Sequence, residues 1–257
     1  MIPGMTVHLD RVPETLLWTL YHRALEARRS DHLIDDPMAI ELVERIDFPF
    51  RERFGGSQGL AQWQALRARR FDEEIRRFLA AHPDGTVVAL GEGLETQSWR
   101  VDNGRMRWVT VDFPEVIELR RELLPQDERR TLLASSALDF SWLDHVEGDD
   151  VLVTAQGVLM YLEPEDVRAL IAQIGEHFPT FVFDAVPNWI VGRRLKSGSG
   201  YEPPPWSWGI GRTDRRWLRR QGSLRRLRLP RGRGLLIRVV GRVFLSVWRL
   251  DYSSRNS

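Results

Sequence analysis

Residues 91 to 93 read Gly-Glu-Gly, and Asp112 follows about twenty positions later. Two glycines separated by one residue let a chain turn tightly and bring its backbone close to a ligand. A carboxylate at this distance can accept hydrogen bonds from ribose hydroxyls. The competing reading makes the glycines an ordinary turn and Asp112 the cap of a helix opening at Pro114. A dinucleotide pyrophosphate calls for a third glycine and a helix N-terminus beneath it. That position is Thr96, and Glu92 and Glu95 add negative charge that should repel phosphate. S-adenosylmethionine has no phosphate and carries a sulfonium and an ammonium, so carboxylates near it are tolerable. The loop therefore predicts the methyl donor rather than NAD.

The elements around the loop support a nucleotide-binding core. Residues 86–90, 107–111, 130–135, 150–157 and 180–186 are short apolar runs that alternate with helical stretches such as "PEVIELRRELL". Strands this apolar are buried on both faces, and the alternation predicts an α/β Rossmann-like fold with a mostly parallel sheet and helices on both sides. Three stretches with helical periodicity (13–29, 36–46 and 60–80) precede it and form an N-terminal helical cap. The expected organisation is one domain over 1–257: a cap (1–82), a donor-binding core (83–187), a lid-like insertion (188–211) and the C-terminal part of the core (212–257). "RVFLSVWRL" is read as a last strand, with an antiparallel one allowed and an amphipathic helix as the alternative.

Composition narrows the function. The chain has 257 residues, 42% hydrophobic and 28% charged, with no cysteine. Disulfides and thiolate metal sites are excluded and no metal site is expected. There is no long apolar run for a membrane span, and "MIPGMTVHLDRVPETLLW" lacks a signal-peptide pattern, so a cytoplasmic location is expected. A net charge of +1 argues against nucleic-acid binding. Many arginines fall between Arg212 and Arg242; they read as a solvated basic face or, alternatively, as a dock for an acidic partner such as a carrier protein.

"VVALGEGLETQSWR", "VTVDFPEVIELRRELL" and "TAQGVLMYLEPEDVRALI" resemble the leucine carboxyl methyltransferase family of S-adenosylmethionine-dependent O-methyltransferases, in particular its bacterial branch of tetracenomycin-type, polyketide-tailoring enzymes. "ETLLWTLYHRALEARR", "LRARRFD", "FPTFVFDAVPNW" and "WSWGI" extend the likeness over roughly residues 10 to 212. The resemblance implies a class I methyltransferase fold with a seven-stranded sheet. It implies Arg67 on the donor carboxylate, Gly91, Glu92 and Gly93 in the donor loop, and Asp112 on the ribose. Ser136, Ala137 and Asp139 would lie by the adenine and Gln156 by the methionine end. The family loop usually reads Gly-Ala-Gly-Leu-Asp-Thr-Arg, so Glu92 is expected either to crowd the donor or to contact its ammonium. Ser136 also stands where an aspartate is usual.

Tyr161, Trp189, Trp206 and Trp208 are expected to line the acceptor site, and their rings suggest a flat aromatic small molecule. A carboxylate acceptor needs no base, whereas a hydroxyl does. His8, His22 and His32 are expected at the surface, so no catalytic base is named. Two other readings remain: a methyltransferase-fold protein without activity, and an NAD(P)-dependent oxidoreductase.

Overall fold

A computed structural model describes residues 13–193, 200–234 and 246–253 of the chain. Four helices come first: α1 (Glu14–Ala27), α2 (Pro37–Arg45), α3 (Phe50–Phe54) and α4 (Gln58–Ala81). They are followed by β1 (Thr86–Leu90), α5 (Gln97–Arg100), β2 (Arg107–Asp112), α6 (Pro114–Leu123), β3 (Arg130–Ala134), β4 (Val151–Ala155), α7 (Pro164–His177) and β5 (Thr180–Ala185). The chain closes with α8 (Arg212–Gln221), β6 (Gly222–Leu227) and β7 (Ser246–Tyr252).

The seven strands form one sheet in the order β3-β2-β1-β4-β5-β7-β6. β1 to β5 are parallel, β7 runs antiparallel to β5, and β6 antiparallel to β7. Strand order reverses between β1 and β4, so the carboxyl ends of these two strands frame the crevice where such sheets bind ligands.

The alternation of side chains along β1 shows how its sequence makes a central strand. Val88 and Leu90 join Val153, Phe181 and Phe183 beneath Leu170, Ile171 and Ile174 of α7. Val87 and Ala89 face the other way, against Phe71, Ile75 and Phe78 of α4. Every residue of β1 is buried, as a run apolar on both faces requires. A third cluster joins Leu16, Leu17 and Leu20 of α1 to Phe50 and Phe54 of α3 and to Val116 and Leu119 of α6. The helical cap is thereby fastened over the end of the sheet that carries the crevice.

The five strand readings hold to within one or two residues, and the final strand is β7; residues 242–245 of that reading lie outside the described residues. β6 and α8 are absent from the sequence reading. β6 is an edge strand with Ser223, Arg225 and Arg226 exposed, so it lacks the apolar run that marks the central strands. Among the described residues no helix is long and apolar enough to cross a membrane.

Candidate active site

β1 ends at Leu90, and the next three residues form the floor of the crevice. Gly91 has φ +59° and Gly93 φ +56°. A Cβ on Gly91 would lie 2.6 Å from Cγ2 of Val158, so both conformation and space demand glycine there. Asp112, at the end of β2, accepts from the Gly93 amide at 2.7 Å and from the Phe113 amide at 2.8 Å. It does not cap α6, whose N-cap is Phe113 with no side-chain bond. Asp112 therefore ties the second glycine to the neighbouring strand, and burial raises its carboxyl above the ordinary range despite those two bonds.

Glu92 takes neither of the two positions expected of it. Its side chain turns away from the crevice into a fully buried niche, 3.1 Å from the Arg120 guanidinium. It accepts there from Thr110 Oγ1 (2.5 Å) and Trp108 Nε1 (3.2 Å). Arg120, on α6, also donates to the Gly93 carbonyl (2.6 Å) and the Glu95 carbonyl (3.1 Å). One guanidinium thus neutralises Glu92 and fixes the backbone of the loop. Burial raises Glu92, and the Arg120 charge opposes this.

Glu95 is paired as well. Arg100 lies 2.7 Å and Arg23 3.2 Å from its oxygens, and the same two arginines grip Asp36. Arg100 also reaches Asp72 on α4. Burial alone would raise the Glu95 carboxyl, but Arg100 and Arg23 hold it at about 2. The charge of the Gly-Glu-Gly-Leu-Glu loop is therefore largely compensated, and repulsion by these two carboxylates is not what keeps out a pyrophosphate. The reason is geometric. α5 is a single turn that begins only at Gln97, so no extended helix N-terminus stands over the loop to receive one.

Two connected hollows straddle the glycines. One, of about 410 Å³, is lined by Asp112, Phe113, Ser136, Ala137 and Leu138. The other, of about 120 Å³, is lined by Arg23, Gln64, Arg67, Gln156, Tyr161 and Trp206, with Trp18 and Trp63 beside them. Arg67 reaches into the second from α4 and is held by Asp184 of β5 at 3.2 Å. Asp184 also accepts from the Gly157 amide at 2.7 Å, and a Cβ at Gly157 would stand 3.0 Å from Nη1 of Arg67. Burial raises Asp184, and the Arg67 charge opposes this. Gln156 donates to Glu95 at 3.0 Å, but its Oε1, both amide atoms of Gln64 and Nε of Arg67 are buried without a partner. Polar groups are seldom left in this state, and here they face a hollow.

The fold brings Arg67, Gly91, Gly93, Asp112, Ser136, Ala137, Gln156, Tyr161 and Trp206 to one crevice, with the backbone of Glu92 among them. Three expected residues lie elsewhere. Asp139 is exposed and caps a 3-10 turn by accepting from Ser141. Trp189 stands 47% exposed beside Arg193. Trp208 is buried with Ile210, Phe183 and Trp248 in the core against the sheet, because its backbone is drawn onto the Met160 carbonyl. His22 is not at the surface: it is fully buried in α1, where its Nδ1–H donates to the Trp18 carbonyl at 2.7 Å, while His32 is exposed and His8 lies outside the described residues. Arg23, Gln64, Arg120 and Asp184 were not anticipated, since no local spacing marks a polar residue as facing a loop that is distant in the chain, 71 residues for Arg23 and Leu94.

A seven-stranded 3-2-1-4-5-7-6 sheet with a glycine loop after β1 and an acid after β2 is the class I methyltransferase arrangement. Residues 17–175 match the leucine carboxyl methyltransferase family, and the chain belongs to it. It is 36% identical over 216 residues to the tetracenomycin polyketide synthesis O-methyltransferase TcmP of Streptomyces glaucescens, covering 81% of this chain and 78% of that protein. It is 30% identical over 189 residues to the S-adenosyl-L-methionine-dependent methyltransferase dpfgK of Gibberella zeae, covering 67% of this chain and 63% of that one. A crystal structure of a Thermobifida fusca protein shares the fold, with a TM-score of 0.55 and 17% identity over 92% of this chain and 94% of that one. The protein is an S-adenosylmethionine-dependent O-methyltransferase, and neither the oxidoreductase reading nor the inactive one is retained.

The crevice fits that donor. S-adenosylmethionine carries one net positive charge. Among the residues lining the smaller hollow, Glu92 and Glu95 stand against Arg23 and Arg67, so no net positive charge opposes it. The unpartnered atoms of Gln64, Gln156 and Arg67 are of the kinds that an amino-acid end engages.

Proposed function

We propose that the protein methylates a carboxylate of a flat, aromatic, polyketide-like small molecule. The larger hollow takes the adenosine, with Asp112 on the ribose and Ser136 and Ala137 by the adenine. The smaller hollow takes the methionine end, with Arg67 against its carboxylate. A guanidinium held at one edge by Asp184 keeps its other donors for such a contact. Tyr161, Trp206, Trp63 and Trp18 wall the adjoining space, which suits a planar acceptor. Residues 200–211 act as a lid, residues 194–199 of the expected insertion lying outside the described residues: Pro203 to Trp206 border the crevice, and Tyr201 is pinned against Phe54, 5.0 Å between ring centres. The likeness to TcmP supports a polyketide-like acceptor.

The observation that carries this reading is the state of the acids in the crevice. Among the described lining residues, no histidine is present. Glu92 is bound to Arg120, Glu95 to Arg100 and Arg23, and Asp184 beyond them to Arg67. Glu95, held at about 2, is too weak a base to take a proton from a hydroxyl; Glu92 and Asp184 are raised, but each is engaged by a guanidinium, and Asp112 by the Gly93 and Phe113 amides. A carboxylate arrives ionised and needs none. When bound, the donor supplies the electrophilic methyl group. The residues align the two reactants and keep water out, and this is the main work in such a transfer.

The test uses methyl-labelled donor with matched sets of aromatic acids and phenols. The expected product is a methyl ester, from which mild alkali releases labelled methanol. An alkali-stable label, as in an aryl ether, would refute the carboxylate reading.

A further inference from the structure

The arginines of this chain are unevenly paired. Those of the cap and core are mostly engaged with acids, as Arg23, Arg67, Arg100, Arg120 and Arg130 show. α8 differs. Arg212, Arg215, Arg216, Arg219 and Arg220 recur at i, i+3, i+4, i+7 and i+8, which places all five on one face. Leu218 is buried beneath them, and Trp217 packs on the same core cluster. None of the five has an acidic partner among the described residues, and the aspartate of the helix, Asp214, is turned to the Gly211 amide. Between residues 212 and 233 there are ten arginines and one aspartate, in a chain whose net charge is +1. The rest of the molecule is therefore net acidic.

We propose that this face of α8 is the docking surface for a compact acidic protein domain that presents carboxylates along a helix. Arginine supports it, because its planar fork binds carboxylates in pairs, and five of them over two and a half turns match an acidic helix laid alongside. An extended nucleic acid would run beyond this patch onto net acidic surface. An anionic membrane would want apolar anchors beside the charges, and the exposed large hydrophobics, Phe113 and Trp189, are not on α8. Pro203 to Trp206 border the crevice, Ile210 bridges to Pro187 just past β5, and α8 begins two residues later. Arg212, at the start of α8, lies toward the crevice end of the sheet, whereas the helix ends where Gln221 meets Ser253, beside the amino end of β5.

The probe is a dye-labelled helical peptide with glutamates at i, i+3, i+4 and i+7 along one face, followed by fluorescence anisotropy. Two triple variants carry the same change in net charge: R216E/R219E/R220E on α8, and R51E/R121E/R168E at exposed arginines elsewhere. S-adenosylhomocysteine binding confirms that both are folded. The α8 variant is expected to weaken the peptide at least about tenfold and the control less than about twofold, with binding falling as salt rises. Equal loss in both variants, or no binding of the peptide to the unaltered protein at low salt, would overturn the proposal. Tighter binding of a short DNA duplex, or of phosphatidylserine vesicles, than of the peptide would overturn it too.

Discussion

Replacing Arg120 by methionine removes the cation that, among the described residues, faces Glu92, and the two bonds that hold the carbonyls of Gly93 and Glu95. The structure separates these effects. Breaking a buried ion pair by removing one partner costs about 3–5 kcal/mol, because the remaining charge is left without compensation. Arg120→Met should therefore lower the urea-unfolding free energy by about that amount. Adding Glu92→Gln removes the stranded charge and leaves an amide that can still bond Thr110, so the double variant should recover about 2 kcal/mol or more. Donor affinity should behave differently. The loop carbonyls remain without their donor in both variants, and a charge-assisted bond is worth about 1.5–3 kcal/mol, so S-adenosylhomocysteine should bind about tenfold or more weakly in each. Chemical denaturation and titration calorimetry measure the two quantities. A double variant no more stable than Arg120→Met, or one that binds the ligand as well as the unaltered protein, would refute the assignment of Arg120 to both tasks.

Gly91→Ala forces a Cβ to 2.6 Å from Val158 at φ +59°, a left-handed strain of about 1–2 kcal/mol before the clash is counted. It should abolish donor binding while leaving the far-ultraviolet circular dichroism unchanged. His22 is buried and its pKa is lowered, by burial first, with the bond to the Trp18 carbonyl opposing. A depressed histidine keeps its full contribution above the unfolded value of about 6.5, and that contribution is lost as pH falls below it, with a slope of up to about 1.4 kcal/mol per pH unit. Denaturation curves in mildly acidic buffers should show that slope, and His22→Gln should flatten it. The buried carboxyls of Glu92, Asp112 and Asp184 are raised, and a bound cation favours their ionised forms. Binding of S-adenosylmethionine should then release more protons than binding of S-adenosylhomocysteine, which lacks the sulfonium and is net neutral, measured by calorimetry in buffers of different ionisation enthalpy. Equal release by the two ligands would show that the sulfonium does not sense these groups.

The core strands were legible because burial on both faces leaves an apolar run that few other elements produce. "TVVAL" and "TFVFDA" are the clearest cases. β6 was not legible, since an edge strand with arginines facing solvent has the composition of a loop. Gly91, Gly93 and Asp112 were legible through a spacing that one local turn imposes. Trp208 was misplaced for the opposite reason. An aromatic in a proline-rich segment can face the crevice or the core with no change in sequence pattern, and here the bond to the Met160 carbonyl turns it inward.

The sequence by itself determined the five parallel strands, the long helices of the cap and those after β2 and β4, the glycine turn and its acid, and the family, because each rests on local periodicity or on motifs contiguous in the chain. Which charges meet was decided only by the tertiary structure. Glu92 read as a carboxylate aimed at the donor, yet Arg120, 28 residues away, draws it into the wall. Glu95 read as a repulsive charge, yet Arg23 and Arg100 hold it. The physical reason is the range of the interactions: a turn is settled by its own few residues, whereas a buried carboxylate must find its cation wherever the packing brings one.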